Sequence, residues 1–503
     1  MLEPAHRVDV VVVGASVAGL SAAQQLTGAG VHTVVLDSRA EPGGHMTTEQ
    51  LDGFRLDRTG RLLLATYQEL RHVPGLDELV LRPFASGAVV RSGDRLHHVG
   101  EPARAEGRRA GRGRALPHRL NGEGGDTSGG TSHALQGSGG ARSGRWENTP
   151  GLRGVSGASR GGMTGARGAA RALVMGARPY RPTSFGRPME RARLGAVLAR
   201  LAAVDEKRLL ARPEQPTAEA LIARGLSTGA ASGLLRPLLS ALLCDPDLTT
   251  SSRYADLALA AFARGRLCLP EGGAHTLPGR LVSALPPGTV HTGVRVTGVS
   301  TTSVTTEEHG EIRCDAVLLA TGPGSAAALL PGLRVPPSHP VTVVHHAADE
   351  PPFAGGALLV DADRAGPVAH TAVASEIDPS RVPPGRVLVS STVLGAPTAD
   401  LDRAVRAQLA ELYGTSTTGW ELLAVHHDPE AVPAMPPPHD RLRPVRVLSG
   451  LYVCGEHRDT STVQGALHSG RRAAQALLAD FAAAPAREPE PPHAEPVPLR
   501  AVA

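Results

Sequence analysis

The chain has 503 residues, of which 41% are hydrophobic and 20% charged, the composition of an ordinary globular protein with a sizeable core. Its length exceeds that of one ordinary domain, so we expect two packed units. The formal net charge is +4, but residues 101–180 hold 13 arginines against five acidic residues, and the remainder is net acidic. This distribution argues against a nucleic-acid partner.

The four cysteines lie far apart in the sequence, at positions 244, 268, 314 and 454. They form neither a disulfide framework nor a metal-ligand pattern, so we expect no metal. No apolar run reaches the roughly 18 residues of a membrane span, and the apolar N-terminal run is interrupted by glycines. We therefore expect a cytoplasmic protein without a transmembrane segment.

The first predicted elements form a βαβ unit. Val10–Val13 is a β-branched run, Gly14–Gly19 is a turn, Leu20–Leu26 has helical character, and Val31–Leu36 is a second buried strand followed by Asp37. This order, strand, glycine-rich turn, helix, strand and acid, is typical of a dinucleotide-binding domain.

In such a unit each glycine of the turn has a separate role. Gly14 permits the tight turn, and Gly19 permits close packing of the helix on the strand. Ser16 stands where a second glycine would let the backbone approach a pyrophosphate, and its small hydroxyl offers a donor to phosphate oxygens. Asp37 is placed to accept hydrogen bonds from a ribose diol, so we expect a functional phosphate cradle.

A second glycine pair, Gly43–Gly44, follows Arg39 in "DSRAEPGGHM". It allows a further stretch of backbone to reach the same pyrophosphate, and the arginine supplies positive charge. A domain that binds only a nicotinamide cofactor does not need this feature.

The middle of the chain changes character three times. Residues 101–180 are rich in Gly and Arg, which predicts a disordered insertion, with an arginine-rich docking segment as the alternative. Apolar residues at three-to-four spacing predict a helical layer over 190–262, and strand-like runs resume after residue 288. The Pro-rich tail, 482–503, is also predicted to be disordered.

Near the C-terminus, a predicted strand at Leu451–Cys454 ends in Gly455 and Glu456, and a loop leads through Val463–Gly465 into a helix that begins near Ala466. Such a helix start presents free N–H groups and a positive dipole end. It is suited to the electron-rich edge of a flavin, where charge grows on reduction.

These segments, with "FARGRLCLPEGGAHTLPGRLVSAL" and "VLLATGP", resemble the FAD-dependent flavin amine oxidase, protoporphyrinogen oxidase and phytoene desaturase superfamily, particularly its protoporphyrinogen-oxidase-like bacterial members. The resemblance covers most of the chain outside the insertion and the tail. It implies an α/β fold in which a discontinuous Rossmann-like FAD-binding domain carries an α+β substrate domain. The FAD-binding domain would comprise 1–90, 268–335 and 440–481, and the substrate domain 181–267 and 336–439.

The resemblance also implies a non-covalently bound FAD as cofactor. Val296 would lie beside the adenine, Thr321 on the strand that closes the first sheet, and Gly455, Glu456 and Val463 at the flavin half. The residues implied around the ADP half are Gly14, Ser16, Gly19, Asp37, Arg39, Gly43, Gly44 and His45.

The sequence departs from the superfamily at three places. Ser16 replaces a glycine, and His45 stands where these proteins often have arginine. Many of its amine oxidases place a lysine near the flavin, whereas the single lysine here, Lys207, lies in a helical context far in sequence from any such site. The third departure argues against an ordinary amine oxidase.

The expected function is that of an FAD-dependent oxidase or desaturase that takes a hydride from a small organic substrate onto flavin N5. The sequence assigns no catalytic residue. The alternatives are a flavin-dependent isomerase or reductase, and an FAD-binding protein with a structural flavin whose insertion docks a partner. A reductase that uses only NAD(P) would leave Gly43–Gly44 and Gly455–Glu456 without a ligand.

Overall fold

The structure is a computed structural model that describes residues 8–99, 188–224 and 231–483. The predicted insertion at 101–180, and the tail beyond residue 483, lie outside the described residues. The strands in chain order are β1 Val8–Val13, β2 Thr33–Asp37, β3 Thr48–Leu51, β4 Phe54–Asp57, β5 Leu63–Leu64, β6 Leu81–Pro83, β7 Ala88–Ser92, β8 Arg95–Val99, β9 Leu267–Pro270, β10 Val290–Thr292, β11 Val296–Val299, β12 Ser303–Thr306, β13 Gly310–Leu319, β14 Ser338–Ala348, β15 Leu358–Asp361, β16 Val368–Val373, β17 Val387–Leu394, β18 Glu421–Pro433, β19 Arg446–Leu448 and β20 Leu451–Val453.

The α-helices alternate with these strands in the N-terminal and C-terminal parts and cluster in the middle of the chain. Short 3-10 turns lie at Pro379–Arg381 and Glu456–Arg458, and a π-helical turn at Ala231–Leu235. The α-helices are Val17–Gly28, Glu69–His72, Pro188–Ala203, Glu206–Leu210, Thr217–Ala223, Arg236–Leu243, Ser252–Arg264, Thr276–Ser283, Pro323–Leu329, Ala374–Ile377, Leu401–Tyr413 and Val463–Ala483.

The first sheet has a parallel core in the order β10-β2-β1-β13-β20. Its central strands are continuous apolar runs because both faces of a parallel sheet are covered by other elements, and Val10, Val11 and Val12 are fully buried. The first half of β13 pairs antiparallel with β12, which pairs with β11. The predicted α/β class and Rossmann-like βαβ unit are confirmed.

Two long helices pack against each other beside this sheet. A side chain at Gly470 of the Val463–Ala483 helix would come within 2.1 Å of the carbonyl oxygen of Ala18, in the Val17–Gly28 helix. Ser21 of the first helix also donates a hydrogen bond to the Leu467 carbonyl at 3.3 Å. The contact joins an element from the start of the chain to one from its end.

The second sheet has the order β18-β14-β17-β16-β15-β7-β8 and is antiparallel except for the β15/β7 pair. The predicted helical layer packs against it, since Leu238 and Leu259 share an apolar cluster with Leu358 and Val360 of β15. The Leu401–Tyr413 helix contributes to a separate cluster with β14 and β17. Strands β7 and β8 thus belong to this sheet, although the first three residues of β7, Ala88–Val90, fall in the range 1–90 that was predicted for the FAD-binding domain.

A buried arginine joins the two halves of the structure. Arg381, whose side chain is 2% exposed, donates to Asp57 at 2.7 Å, to Asp378 at 3.1 Å and to the Pro270 carbonyl at 2.9 Å. Asp378 also accepts from the Gly272 backbone at 2.8 Å. Burial opposes ionisation of Asp57, but Arg381 and the hydrogen bonds hold the pKa of its carboxyl below the usual value.

We expect Arg381→Met to lower the free energy of unfolding by about 3–5 kcal/mol, because it leaves two buried carboxylates without their cation. Arg403→Met is the matched control, since Arg403 forms a surface pair with Asp400 and such pairs contribute about 0–1 kcal/mol. Urea unfolding measures both variants. Equal midpoints for the two variants would contradict the proposed role of Arg381.

The low pKa of Asp57 also predicts a pH dependence. A carboxyl whose folded pKa is depressed contributes stability above its unfolded pKa and loses it as the pH falls through the folded pKa. The wild-type melting temperature should therefore decrease as the pH is lowered below about 4. This acid-dependent decrease should be smaller in Arg381→Met. Thermal melts between pH 6 and pH 2.5 test the difference.

Candidate cofactor-binding site

A cavity of about 530 Å³ lies at the carboxyl edge of the parallel core, where the β-strand ends meet the second sheet. Open α/β sheets bind ligands at this edge. Every site residue predicted from the sequence lines the cavity except Gly19, which lies behind the turn. The residues that line it are Gly14, Ser16, Asp37, Arg39, Gly43, Gly44, His45, Val296, Thr321, Gly455, Glu456 and Val463.

The two outer positions of the glycine-rich turn have no room for a side chain. Gly14 has a φ of +107°, and a Cβ there would lie 2.9 Å from the Ala320 carbonyl carbon. A Cβ on Gly19 would lie 2.1 Å from the Gly14 carbonyl oxygen. Gly19 therefore acts through packing, because it lets the first helix begin directly against the turn.

Ser16 is the N-cap of the Val17–Gly28 helix. Its hydroxyl accepts from the Gly19 backbone at 3.3 Å and donates to the Ala320 carbonyl at 2.6 Å. Its proton is thus directed to the protein in this arrangement rather than to a phosphate oxygen. The serine ties the helix start to the end of β13, a role that the sequence did not predict.

Asp37 ends β2 and lies against the same turn. Its two carboxylate oxygens accept from the backbone of Ala15 at 2.7 Å and of Arg39 at 2.8 Å. Each oxygen retains a second acceptor site, and the residue lines the cavity. Asp37 both holds the turn in place and offers acceptors to a ligand hydroxyl.

The second glycine pair lies directly on the first turn. The Gly43 backbone donates to the Ala15 carbonyl at 2.8 Å, and Gly44, with a φ of +62°, faces Ser16 so closely that a Cβ would lie 3.2 Å from the serine Cβ. Arg39 donates to the Gly44 carbonyl at 2.6 Å. Two backbone segments and one guanidinium thus form one wall of the cavity.

The next part of the wall comes from the second sheet. Asp428 of β18 lies 3.3 Å from the His45 ring, and Pro429 and Glu430 line the cavity beside it. Burial, with the nearby positive charge of Arg61, lowers the pKa of His45 below its usual value. Sequence reasoning missed Asp428, because an isolated acid on a strand gives no local signal.

The opposite end of the cavity is built around Gly455 and Glu456. Gly455 has a φ of +136°, and its backbone donates to Ser469 of the C-terminal helix at 3.1 Å. Glu456 pairs with Arg61 at 2.7 Å, with side chains 15% and 9% exposed. Arg61 was also missed, since it belongs to no recognisable motif.

The cavity suits a dinucleotide with an anionic centre. The Val17–Gly28 and Val463–Ala483 helices both begin at its wall, and helix N-termini favour anions. Thr321 contributes a buried hydroxyl that has no partner in the structure. The phosphate and ribose groups of such a ligand fit two glycine-containing turns, the acid at the end of β2 and this unpartnered hydroxyl.

Lys207, the single lysine, is exposed on the Glu206–Leu210 helix and does not line the cavity. Within the three described ranges no helix is long and apolar enough to cross a membrane. The same ranges contain no group of three or more His, Cys, Asp or Glu side chains placed to hold a metal ion.

The fold and the cavity are those of a dinucleotide-binding protein. The chain belongs to the family of flavin containing amine oxidoreductases, which residues 162–478 match, more than half of its length. Residues 12–74 match an NAD(P)-binding Rossmann-like domain. The predicted superfamily, its FAD cofactor and the FAD-dependent oxidoreductase class are therefore confirmed at the level of the family.

A hydroxysqualene dehydroxylase of Rhodopseudomonas palustris is 30% identical over 174 residues, which are 33% of this chain and 39% of that protein. A structure assigned as a protoporphyrinogen oxidase from Exiguobacterium sp. 255-15 aligns with a TM-score of 0.63 at 17% identity, over 95% of this chain and 99% of the other. Wild-type putrescine oxidase bound to putrescine aligns with a TM-score of 0.54 at 16% identity, over 94% and 99%. The structural alignments show a shared fold.

The tight contact between Ser16 and Gly44 generates a prediction about cofactor retention. Ser16→Gly should change FAD affinity by no more than about tenfold, about 1.4 kcal/mol, because it removes a cap that glycine largely replaces. Ser16→Leu should abolish binding, since its side chain would fill the turn. Flavin fluorescence after dialysis measures both. Full retention by Ser16→Leu would show that this turn is not the phosphate cradle.

Asp37→Ala should weaken FAD retention by about one to two powers of ten, since each charge-assisted hydrogen bond contributes about 1.5–3 kcal/mol. Asp37→Asn keeps one acceptor for the turn but removes the charge, so its loss should be intermediate. Flavin occupancy after dilution and gel filtration compares FAD retention by the wild type and the two variants. Unchanged occupancy in both variants would rule out Asp37 as the ribose ligand.

Proposed function

We propose that this cavity holds FAD along its whole length and that the protein removes a hydride from a small organic substrate. The observation that carries the proposal is the single cavity lined both by the Gly14–Asp37 unit and by Gly455 and Glu456. The family match supports it, because the matched residues include the whole second sheet except β7 and β8, and the C-terminal helix as far as residue 478.

In this proposal the ADP half lies at the Gly14 turn, Asp37, Arg39 and the Gly43–Gly44 pair, with the adenine beside Val296. Thr321 contributes its free hydroxyl to the middle of the site. The flavin half lies at Gly455, Glu456 and Val463. Bound flavin supplies the hydride-accepting chemistry itself, and an electron acceptor such as oxygen regenerates it.

The protein's own contribution is to position the flavin and to keep water from it. Burial raises the pKa of the Tyr67 hydroxyl well above its usual value and that of the Cys244 thiol to about 11, so both groups stay protonated and neutral beside the Arg61–Glu456 pair. Neither group is a nucleophile in that state. The arrangement supports a reaction in which no protein side chain forms a covalent bond with the substrate.

We further propose that the substrate is predominantly apolar. An apolar cluster of Cys244, Val341, Val343, Ala431 and Val432 borders the Glu456 end of the cavity, because the Ala431 carbonyl accepts a hydrogen bond from the guanidinium that pairs with Glu456. The partial similarity to a hydroxysqualene dehydroxylase makes terpenoid alcohols and hydrocarbons the first compounds to test.

We also propose that the chain is divided into an FAD-binding domain and a substrate domain, with β7 and β8 in the substrate domain.

We propose a cytoplasmic location as well. The four free cysteines support it, since disulfides are rare in that compartment.

Non-covalent attachment gives a direct prediction. The purified protein should show the absorption bands of oxidised flavin, and denaturation should release all of the FAD into the supernatant. Cys454, the thiol nearest in sequence to Gly455, is fully buried in the core, and burial raises its pKa to about 12, which leaves it unreactive. Colour that remained with the precipitated protein would contradict non-covalent binding.

The function itself is tested by anaerobic titration of the holoprotein with terpenoid alcohols and hydrocarbons, and with putrescine as the charged comparison. Loss of the oxidised flavin bands with an apolar compound, and their return on admission of air, are the expected results. Turnover of a compound without net bleaching would indicate an isomerase. If no compound bleaches the flavin although dithionite still reduces it, the result would favour a structural flavin.

A further inference from the structure

Arg61 contacts three separate segments at the Glu456 end of the cavity. Its Nη1 lies 2.7 Å from the Glu456 carboxylate and donates to the Ser461 carbonyl at 3.3 Å. Its Nη2 donates to the Ala431 carbonyl on β18. One guanidinium therefore joins the turn after β20, the loop before the C-terminal helix, and a strand of the second sheet.

Glu456 has one short contact to a cation, and both side chains of the pair are mostly buried. Its side chain is 15% exposed and that of Arg61 is 9% exposed. Burial opposes the charge on Arg61, but the Glu456 carboxylate raises the pKa of the guanidinium above its usual value. The pair places opposite formal charges 2.7 Å apart at this end of the cavity.

Besides Glu456, the titratable side chains that interact with Arg61 are Tyr67, Cys244 and His45, and none of the three carries a charge at neutral pH. Tyr67 and Cys244 are protonated, as described above. His45 and Asp428, farther along the wall, form a contact of their own at 3.3 Å. Removal of either member of the Arg61–Glu456 pair would consequently leave one uncompensated charge beside the bound flavin.

We propose that Arg61 is a positioning residue that sets the reduction potential of the flavin, because it fixes the Glu456 carboxylate and cancels its charge. The inference rests on the proposed function, since it requires FAD in the cavity. Reduction adds electrons to the flavin, so a lone carboxylate nearby disfavours the reduced form and a lone guanidinium favours it. The pair keeps these opposite effects in balance.

Four proteins test the proposal: wild type, Arg61→Met, Glu456→Gln and the double variant. Midpoint potentials are measured on the holoproteins by anaerobic equilibration with reference dyes. Arg61→Met should shift the potential in the negative direction and Glu456→Gln in the positive direction. Each shift should be at least tenfold in the equilibrium constant of reduction, about 30 mV for a two-electron couple. The double variant, which has no charge at this position, should return close to wild type.

A purely structural role would give a different pattern. Loss of a structural contact would change FAD occupancy or melting temperature, but Glu456→Gln would not reverse the potential shift of Arg61→Met. Arg280→Met is the matched control, because Arg280 pairs with Glu78 at 2.6 Å on the surface, with side chains 46% and 70% exposed. That variant should leave the potential unchanged.

The two hypotheses fail in distinguishable ways. A wild-type protein that binds no FAD overturns the proposed function. A wild type that binds FAD, with single variants that shift in the same direction or not at all, overturns the role of Arg61 alone. If Arg61→Met does not fold, the absence of a positive shift in Glu456→Gln overturns the inference by itself.

Discussion

The buried contact of Arg381 with Asp57, Asp378 and the Pro270 carbonyl ties the chain that follows β16 of the second sheet to β4 and β9, two strands that lie outside both main sheets. It lies between β4, the segment that follows β9 and the turn that follows β16, so three stretches of chain meet at one buried cation. Apolar packing alone tolerates small sliding, whereas hydrogen bonds to a rigid guanidinium fix direction as well as distance. The three segments are held in one relative position in this way.

The cavity is built from both main sheets. The first sheet contributes strand ends and glycine-rich turns, which present backbone donors to a ligand. The second sheet contributes the end of β18, with Asp428 and Glu430, which closes the other wall. Arg61, like Arg381, is a buried arginine whose guanidinium contacts several distant segments of the chain. It does so where the flavin end of the cofactor is proposed to lie.

Much of this site could be predicted from the sequence because its determinants are local. A turn that excludes Cβ atoms at Gly14 and Gly19, and an acid at the end of the next strand, are defined by spacing within about 25 residues. Arg61 and Asp428 could not be predicted, since their roles depend on partners several hundred residues away. The hydrogen bond from Ser16 to the Ala320 carbonyl was likewise hidden, because the two residues meet only through the pairing of β1 with β13.

The contact between Gly470 and Ala18 has a consequence for folding. The helix of the βαβ unit packs against the Val463–Ala483 helix. Strand β20, which precedes that helix in the chain, pairs with β13 of the first sheet. An N-terminal unit of β1, its helix and β2 therefore lacks the strands that pair with both of its edges, β13 and β10, and the helix that covers Ala18. The cavity is lined by residues from Val13 to Ala466, so its wall is complete only when the chain as far as the Val463–Ala483 helix is folded.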